Sequence, residues 1–277
     1  MRVAQHVVDA RRDRLAFILS TKGYLSVPQL CQELDVSEAT VRRDLEFLSA
    51  EGKVTRTYGG VIGDANLRFP SHQQRLSQAI EAKKEIGQRA LEWVKPGMVV
   101  FFDGGSTLHY MIKALQESTI RDLTCVTISL PAVDLLSSLD GITVHLLGGR
   151  LYPRQSVLLG ENTSSNIKDW EFDLALLCAQ GMTDEGLWNT NPEVVKVQRQ
   201  VYRHSLETVV LIDDSKLGKS TEHFLFDWKH LDGLLTNADK NALLKAGIPF
   251  PERRSGRLKP DSKKRRENDL TLPTSLL

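Results

Sequence analysis

A chain of 277 residues is long enough for two domains and a sizeable core. Its 36 Lys and Arg against 35 Asp and Glu leave a net charge of +1, so any affinity for nucleic acid has to come from a local cluster of cations. Three cysteines far apart (31, 125 and 178), no CxxC pair, no apolar leader and no apolar run of membrane-spanning length argue against a disulfide framework, a zinc site or a membrane anchor, and the chain reads as soluble and cytoplasmic.

Residues 9–22 place Leu15, Ile18 and Leu19 on one helical face, and Gly23 follows as a helix stop. Ser26 and Gln29 have the spacing of a capping box, and Val27, Leu30, Cys31 and Leu34 form the apolar stripe of a second helix. The turn Asp35-Val36-Ser37 is short enough for a helix-turn-helix, with Ser37 as the cap of a third helix. That helix turns Val41, Leu45 and Leu48 inward and leaves Ala39, Thr40, Arg42, Arg43 and Glu46 facing out. Residues 52–60 alternate with β-propensity, carry Lys53 and Arg56, and end in Gly59-Gly60, as a wing hairpin does. The helical periodicity alone suits any small three-helix module. The capped turn, the arginine pair and the basic hairpin together predict a DNA reader. In it Arg42 and Arg43 contact bases or phosphates, Ser37 and Thr40 position the helix N-terminus, and Arg56 with Tyr58 holds the wing against the backbone.

The run Val36-Ser37-Glu38-Ala39-Thr40-Val41-Arg42-Arg43-Asp44-Leu45, followed by Leu48, Gly52, Arg56 and Gly59-Gly60, resembles the winged-helix signature of the DeoR-type bacterial transcriptional regulators. The resemblance spans nearly all of the first sixty residues.

The pattern divides the rest of the chain. Residues 1–62 form the predicted winged helix-turn-helix domain, and residues 63–80 are polar and without period, read as a linker with helix left open towards its end. A helix at 81–94 stops at Pro96-Gly97. Strands are predicted at 98–102, 123–128, 142–147, 173–178, 207–212 and 231–235, with helices at 106–115, 131–139, 193–205 and 240–246. Strands apolar on both faces and separated by helices predict a mostly parallel α/β sheet over residues 81–250. Residues 251–277 are charged and core-poor, a basic tail carrying Lys263-Lys264-Arg265-Arg266.

In such a sheet ligands sit beyond the carboxyl ends of the strands. The first strand runs into Asp103-Gly104-Gly105-Ser106-Thr107 at the start of a helix, where flexible backbone, two hydroxyls and the helix N-terminus suit a phosphate. Gly148-Gly149-Arg150 and Asp213-Asp214-Ser215-Lys216 follow other strands with cations fit for an anionic group. Any one of these is an ordinary turn by itself; their convergence on one sheet edge is what points to a site. His109, His145, His204 and His223 lack metal-ligand spacing, and neither a cofactor nor a metal nor a catalytic residue is expected.

Phe102 to Thr107, Gly148 to Leu151, Phe172-Asp173, Gly181 and Leu211 to Gly218 also resemble the effector domain of the same family, over about residues 81–250. The resemblance implies a fold similar to ribose-5-phosphate isomerase and a phosphorylated sugar or related metabolite as effector. It implies ligand contacts at Asp103, Gly104, Gly105, Ser106, Thr107, Gly148, Gly149, Arg150, Gly181 and Lys216. It implies a homo-oligomeric repressor of a carbohydrate-metabolism operon that binds double-stranded operator DNA and is released by its effector. Two positions depart from the family pattern: Ile128 stands where many members have Asn, and Asn237 where many have Asp. An effector-independent regulator and an isomerase-like enzyme are the alternative readings.

Overall fold

The computed structural model describes residues 5–22, 24–51, 53–57, 60–63 and 70–249. Gly23, Gly52, Tyr58, Gly59 and the tail at 251–277 lie outside the described residues. The chain forms two compact units, Met1–Ser71 and His72–Leu277.

The first unit is built from α1 (Gln5–Lys22), β1 (Tyr24–Ser26), α2 (Val27–Leu34), α3 (Glu38–Ala50), β2 (Val54–Thr57) and β3 (Gly60–Gly63). The predicted stripes meet in one core of Leu15, Leu19, Leu30, Leu34, Val41, Leu45 and Leu48, closed by Val54 and Val61 from the wing. Ser26 donates from both N and Oγ to Gln29 Oε1 at 2.9 Å, tying the first turn of α2. Asp35 ends that helix in the left-handed region at φ 52°, and Ser37 Oγ accepts from Thr40 N to begin the next. The wing is a three-stranded antiparallel sheet in the order β1-β3-β2, and its third strand, Tyr24–Ser26, is too short to show in the sequence pattern. Asp44 is 2 % exposed and accepts from Arg11 Nε at 2.6 Å and Arg12 Nε at 2.9 Å, lashing α3 to α1. The Arg12 guanidinium also lies 3.8 Å from the centre of the Phe47 ring.

The second unit begins with α4 (His72–Leu76) and α5 (Ile80–Ala90), the latter followed by a 3-10 turn at Leu91–Trp93. β4 (Val99–Phe102), α6 (Ser106–Glu117), β5 (Leu123–Thr127), α7 (Leu130–Leu136) and β6 (Ile142–Leu146) come next. A hairpin of β7 (Arg150–Tyr152) and β8 (Val157–Leu159) leads through α8 (Glu161–Ile167) into β9 (Phe172–Cys178). The remainder is β10 (Gly181–Thr183), β11 (Gly186–Asn189), α9 (Pro192–Arg203), β12 (Ser205–Leu211), β13 (His223–Phe226), β14 (Gly233–Leu235) and α10 (Lys240–Lys245).

Six of these strands form a parallel sheet in the order β14-β12-β9-β4-β5-β6, the six predicted from the apolar runs. Successive residues point to opposite faces, so each strand serves two cores. Val100, Phe102, Leu174, Leu176, Val209 and Leu211 pack against Ile86, Met111, Ile112 and Leu136 of α5, α6 and α7. Phe101, Ala175, Leu177 and Val210 pack on the other side against Ile167, Val197 and Val201 of α8 and α9. The sheet is open, and chain order reverses between β4 and β9. A small antiparallel sheet, β10-β11-β13, flanks it. No helix among the described residues is long and apolar enough to cross a membrane.

One boundary moves. The sequence pattern predicts a linker over 63–80 with its end left open to helix; His72–Leu76 is helical and belongs to the second unit. Tyr110 Oη donates to Leu76 O at 2.9 Å, His72 N donates to Arg154 O at 2.8 Å, and Lys83 Nζ donates to the carbonyls of Arg75 and Gln78. A five-residue helix held by polar contacts with other segments leaves no apolar period to detect.

Gly87 sets how closely α5 approaches α6, because a Cβ there would lie 2.7 Å from Met111 N and 2.9 Å from its Cα. Gly87→Ala is expected to lower unfolding stability by about 1–3 kcal/mol through overpacking against backbone. This should hold although alanine favours a helix by about 1 kcal/mol. Urea unfolding of the variant beside wild type measures it.

Candidate functional site

The predicted site residues fall on both units. On the first unit, α3 presents Arg42 and Arg43 to solvent while Asp44, next in sequence, is buried against α1. Arg42 pairs with Glu38 at 2.6 Å one turn earlier, both side chains being more than half exposed, so the pair can open to release the guanidinium. Ser37 and Thr40 sit at the N-terminus of α3 with their hydroxyls 3.0 Å apart. Arg56 lies on β2, its side chain beyond what is described, and Tyr58 lies outside the described residues.

On the second unit, a two-lobed cleft opens at the carboxyl ends of β4 and β9, the point where strand order reverses. Each lobe has a cavity volume of about 40 Å³, and Arg75, Gly105, Cys178, Ala179 and Gln180 line both. One lobe is cationic. It is lined by Lys83 and Lys216, by Ser106 and Thr107 at the N-terminus of α6, and by Asp213. No side chain of the N-cap residue closes the N-terminus of α6; the Leu108 N–H is taken by the Cys178 sulfur, and the N–H groups of Ser106 and Thr107 are left to face an anion. Arg75 comes from α4, and its Nε is sealed from solvent without a hydrogen-bond partner. Burial lowers the pKa of the Arg75 guanidinium, while Cys178 and Asp103 pull the other way. Burial likewise lowers the Lys83 ammonium, with the Asp213 carboxylate opposing. Lys83 spends two donors on the Arg75 and Gln78 carbonyls and keeps a third.

Asp103 lines the cleft but its carboxylate is occupied. Oδ1 accepts from Gly104 N at 2.7 Å, and Oδ2 accepts from Cys178 N at 3.0 Å and Gln198 Nε2 at 2.6 Å. Burial raises its pKa, and those three donors work against the rise. Gly104 and Gly105 are there for packing rather than for positive φ. A Cβ on Gly105 would fall 2.2 Å from Cys178 Sγ, and one on Gly104 would fall 2.2 Å from Val157 Cγ1.

Of the residues expected to meet a ligand, Asp103, Gly104, Gly105, Ser106, Thr107 and Lys216 line the cleft. Gly148, Gly149 and Arg150 do not. Gly148 O accepts from Thr163 Oγ1 at 2.6 Å, and a Cβ on Gly149, at φ 139°, would strike Thr163 and Leu159. Arg150 is exposed and lies over the Tyr152 ring, while the same hairpin sends Gln155 and Val157 into the cleft instead. Gly181 packs in β10 where a Cβ would fall 2.1 Å from Lys219 O; its neighbours Ala179 and Gln180 are the lining residues. The sequence pattern does not single out Arg75 and Lys83, which lie in a segment without strand-end signals.

Two segments of the sequence match known domain families: residues 11–65 match the DeoR-like helix-turn-helix domain, and residues 78–238 match the DeoR C terminal sensor domain. The chain belongs to the DeoR family. It is similar to the lactose phosphotransferase system repressor of Staphylococcus epidermidis, 28% identical over 85% of this chain and 93% of that protein. It is 29% identical to the HTH-type transcriptional repressor GlcR of Bacillus subtilis over 82% of this chain and 88% of that protein. Among solved structures, ribose 5 phosphate isomerase A from Neisseria gonorrhoeae aligns with 50% of this chain and 53% of its own, at 19% identity and a TM-score of 0.37. The chain is a DNA-binding transcription regulator, not an enzyme.

The two departures from the DeoR pattern have separate fates. Ile128 is fully buried and forms part of the lobe that Lys83 and Lys216 do not line. Asn237 Oδ1 accepts from Asp214 N at 2.9 Å, so the amide still holds the turn that carries Lys216.

Next to Arg75, His72 is buried edge-on to His109, with ring centres 6.2 Å apart. Burial first, then the neighbouring Arg75 cation, push its pKa from the ordinary 6.5 down to about 4. The unfolded chain therefore takes up a proton below pH 6.5 that the folded chain refuses. The His72 contribution is full above that pH and is lost as pH falls towards 4, at up to about 1.4 kcal/mol per unit. Unfolding curves at pH 7, 5.5 and 4.5 should show His72→Gln with a flatter pH dependence than wild type in that window.

Proposed function

We propose that this DeoR-family chain is a repressor of a carbohydrate-metabolism operon, bound to operator DNA through its winged unit and released when a phosphorylated sugar enters the cleft of its sensor unit. The observation that carries the effector half is Arg75, a guanidinium with a sealed, unpartnered Nε, set beside Lys83, Lys216 and the open N-terminus of α6. A buried donor without a partner costs free energy on the order of 1–3 kcal/mol, which a bound phosphate recovers. The lactose phosphotransferase system repressor and GlcR, to which the chain is similar, carry a repressor's role in their names.

In the DNA-binding half, Arg42 and Arg43 on the exposed face of α3 contact the major groove, Ser37 and Thr40 seat the helix N-terminus against phosphate, and Arg56 with Tyr58 holds the wing. Two or more copies assemble as a homo-oligomer in the cytoplasm, which sets the half-site spacing. An effector that favours one arrangement of the winged units by roughly 1–3 kcal/mol changes operator affinity about five- to 150-fold.

Thermal shift of the full-length protein against a panel of sugar phosphates tests the effector half. A ligand at a hundred times its Kd should stabilise by about 2.7 kcal/mol, and Arg75→Ala should abolish the shift; no shift with any compound would sink this half. For the DNA half, Arg42→Ala and Arg43→Ala should each weaken binding to promoter fragments by about 1–3 kcal/mol or lower the salt slope by about 1, according to whether the contact is to a base or a phosphate. Unchanged binding by the double variant would remove α3 from the interface.

A further inference from the structure

Charge in the cleft is segregated. Among the described residues, three cations line it, Arg75, Lys83 and Lys216; all three line the lobe at the N-terminus of α6, and of them Arg75 alone reaches the other lobe. That second lobe is walled by Ile128, Val157 and Val194, with Gln155, Gln180 and Asn189 as its neutral polar groups and Asp103 as its one carboxylate. Not all of these amides are free. Asn189 Nδ2 donates to Gln198 Oε1 and its Oδ1 accepts from Thr190 N, so it is held within the fold. Gln155 Oε1 accepts from Asn191 Nδ2 at 2.9 Å, leaving Nε2 as a donor towards the cleft. The Gln180 side chain has no hydrogen-bond partner among the described residues and offers both a donor and an acceptor.

We infer that this neutral lobe makes the site selective for ligands with one anionic group on an uncharged polyhydroxy chain, and that Gln155 and Gln180 are the residues that read the hydroxyls. The inference rests on the phosphate reading of the cationic lobe. With Arg75 engaged by the first phosphate, a second phosphate or a carboxylate at the far end meets apolar walls, amides and the Asp103 carboxylate, with no cation left to offset its desolvation. A hydroxyl there meets free amide groups instead. The selectivity comes from the repulsive lobe as much as from the attractive one.

Titration calorimetry of the full-length protein with inorganic phosphate, ribose 5-phosphate, fructose 6-phosphate, fructose 1,6-bisphosphate and 6-phosphogluconate tests this. At least one monophosphate should bind ten times or more tighter than inorganic phosphate, the bisphosphate and the phosphogluconate. Gln155→Lys places a cation in the neutral lobe and should move the ratio of bisphosphate to monophosphate affinity at least tenfold towards the bisphosphate. Gln180→Lys is the second variant, in case the first does not fold. Equal or tighter binding of the doubly anionic compounds to wild type overturns the inference, as does an unmoved ratio in a folded Lys variant. Binding of phosphate with no gain from any sugar overturns the inference alone, whereas failure of all five compounds to bind overturns the phosphate reading with it.

Discussion

The second unit is organised by one carboxylate. Asp103 leaves β4, turns back through Oδ1 to the next N–H, and reaches across through Oδ2 to Cys178 at the end of β9 and to Gln198 on α9. Those bonds fasten together the two strands whose connections then depart in opposite directions. The crevice exists because β4 and β9 are neighbours that feed helices on opposite faces, and Asp103 holds its two lips at hydrogen-bonding distance. Gly105 permits the same closeness from the other side, since any Cβ would enter Cys178. Burial of an ionisable group at such a point is tolerated because three donors satisfy it.

Around that joint the cleft is assembled from segments remote in sequence. α4 supplies Arg75, α5 supplies Lys83, α6 its N-terminus, the β7–β8 hairpin Gln155, and the turn after β12 Lys216. The first unit applies the same economy to a shorter stretch. In Arg42-Arg43-Asp44 the first two side chains face outward, and the third is drawn inward by Arg11 and Arg12. Acid and base that are adjacent in sequence thus serve opposite faces of one helix, and the near-neutral chain keeps a cationic edge there.

What was legible in the sequence follows from periodicity. Six strands of the parallel sheet and the helices α5, α6, α7, α9 and α10 carry apolar patterns, and their positions agree with the pattern to within a few residues. The loop at Asp103 was legible because glycines and hydroxyls at a strand end are a local signature. Gly148-Gly149-Arg150 has the same signature and a different use, because what decides is the hairpin that turns Arg150 outward and Gln155 inward. Arg75 was illegible for the converse reason. A polar residue in a polar segment becomes informative only when folding buries it, and that burial depends on Tyr110, His72 and Lys83 anchoring α4.

Two carboxylates line the cleft among the described residues: Asp103 is held through both oxygens, and Asp213 through Oδ1, which accepts from the N–H and hydroxyl of Ser215. On the reading proposed above, a compound held in the cleft is bound rather than transformed, and the fraction of protein occupied follows its concentration and its dissociation constant. Such a site is an equilibrium gauge of a metabolite pool: it draws nothing from the pool it measures, and its reading falls as soon as the pool empties.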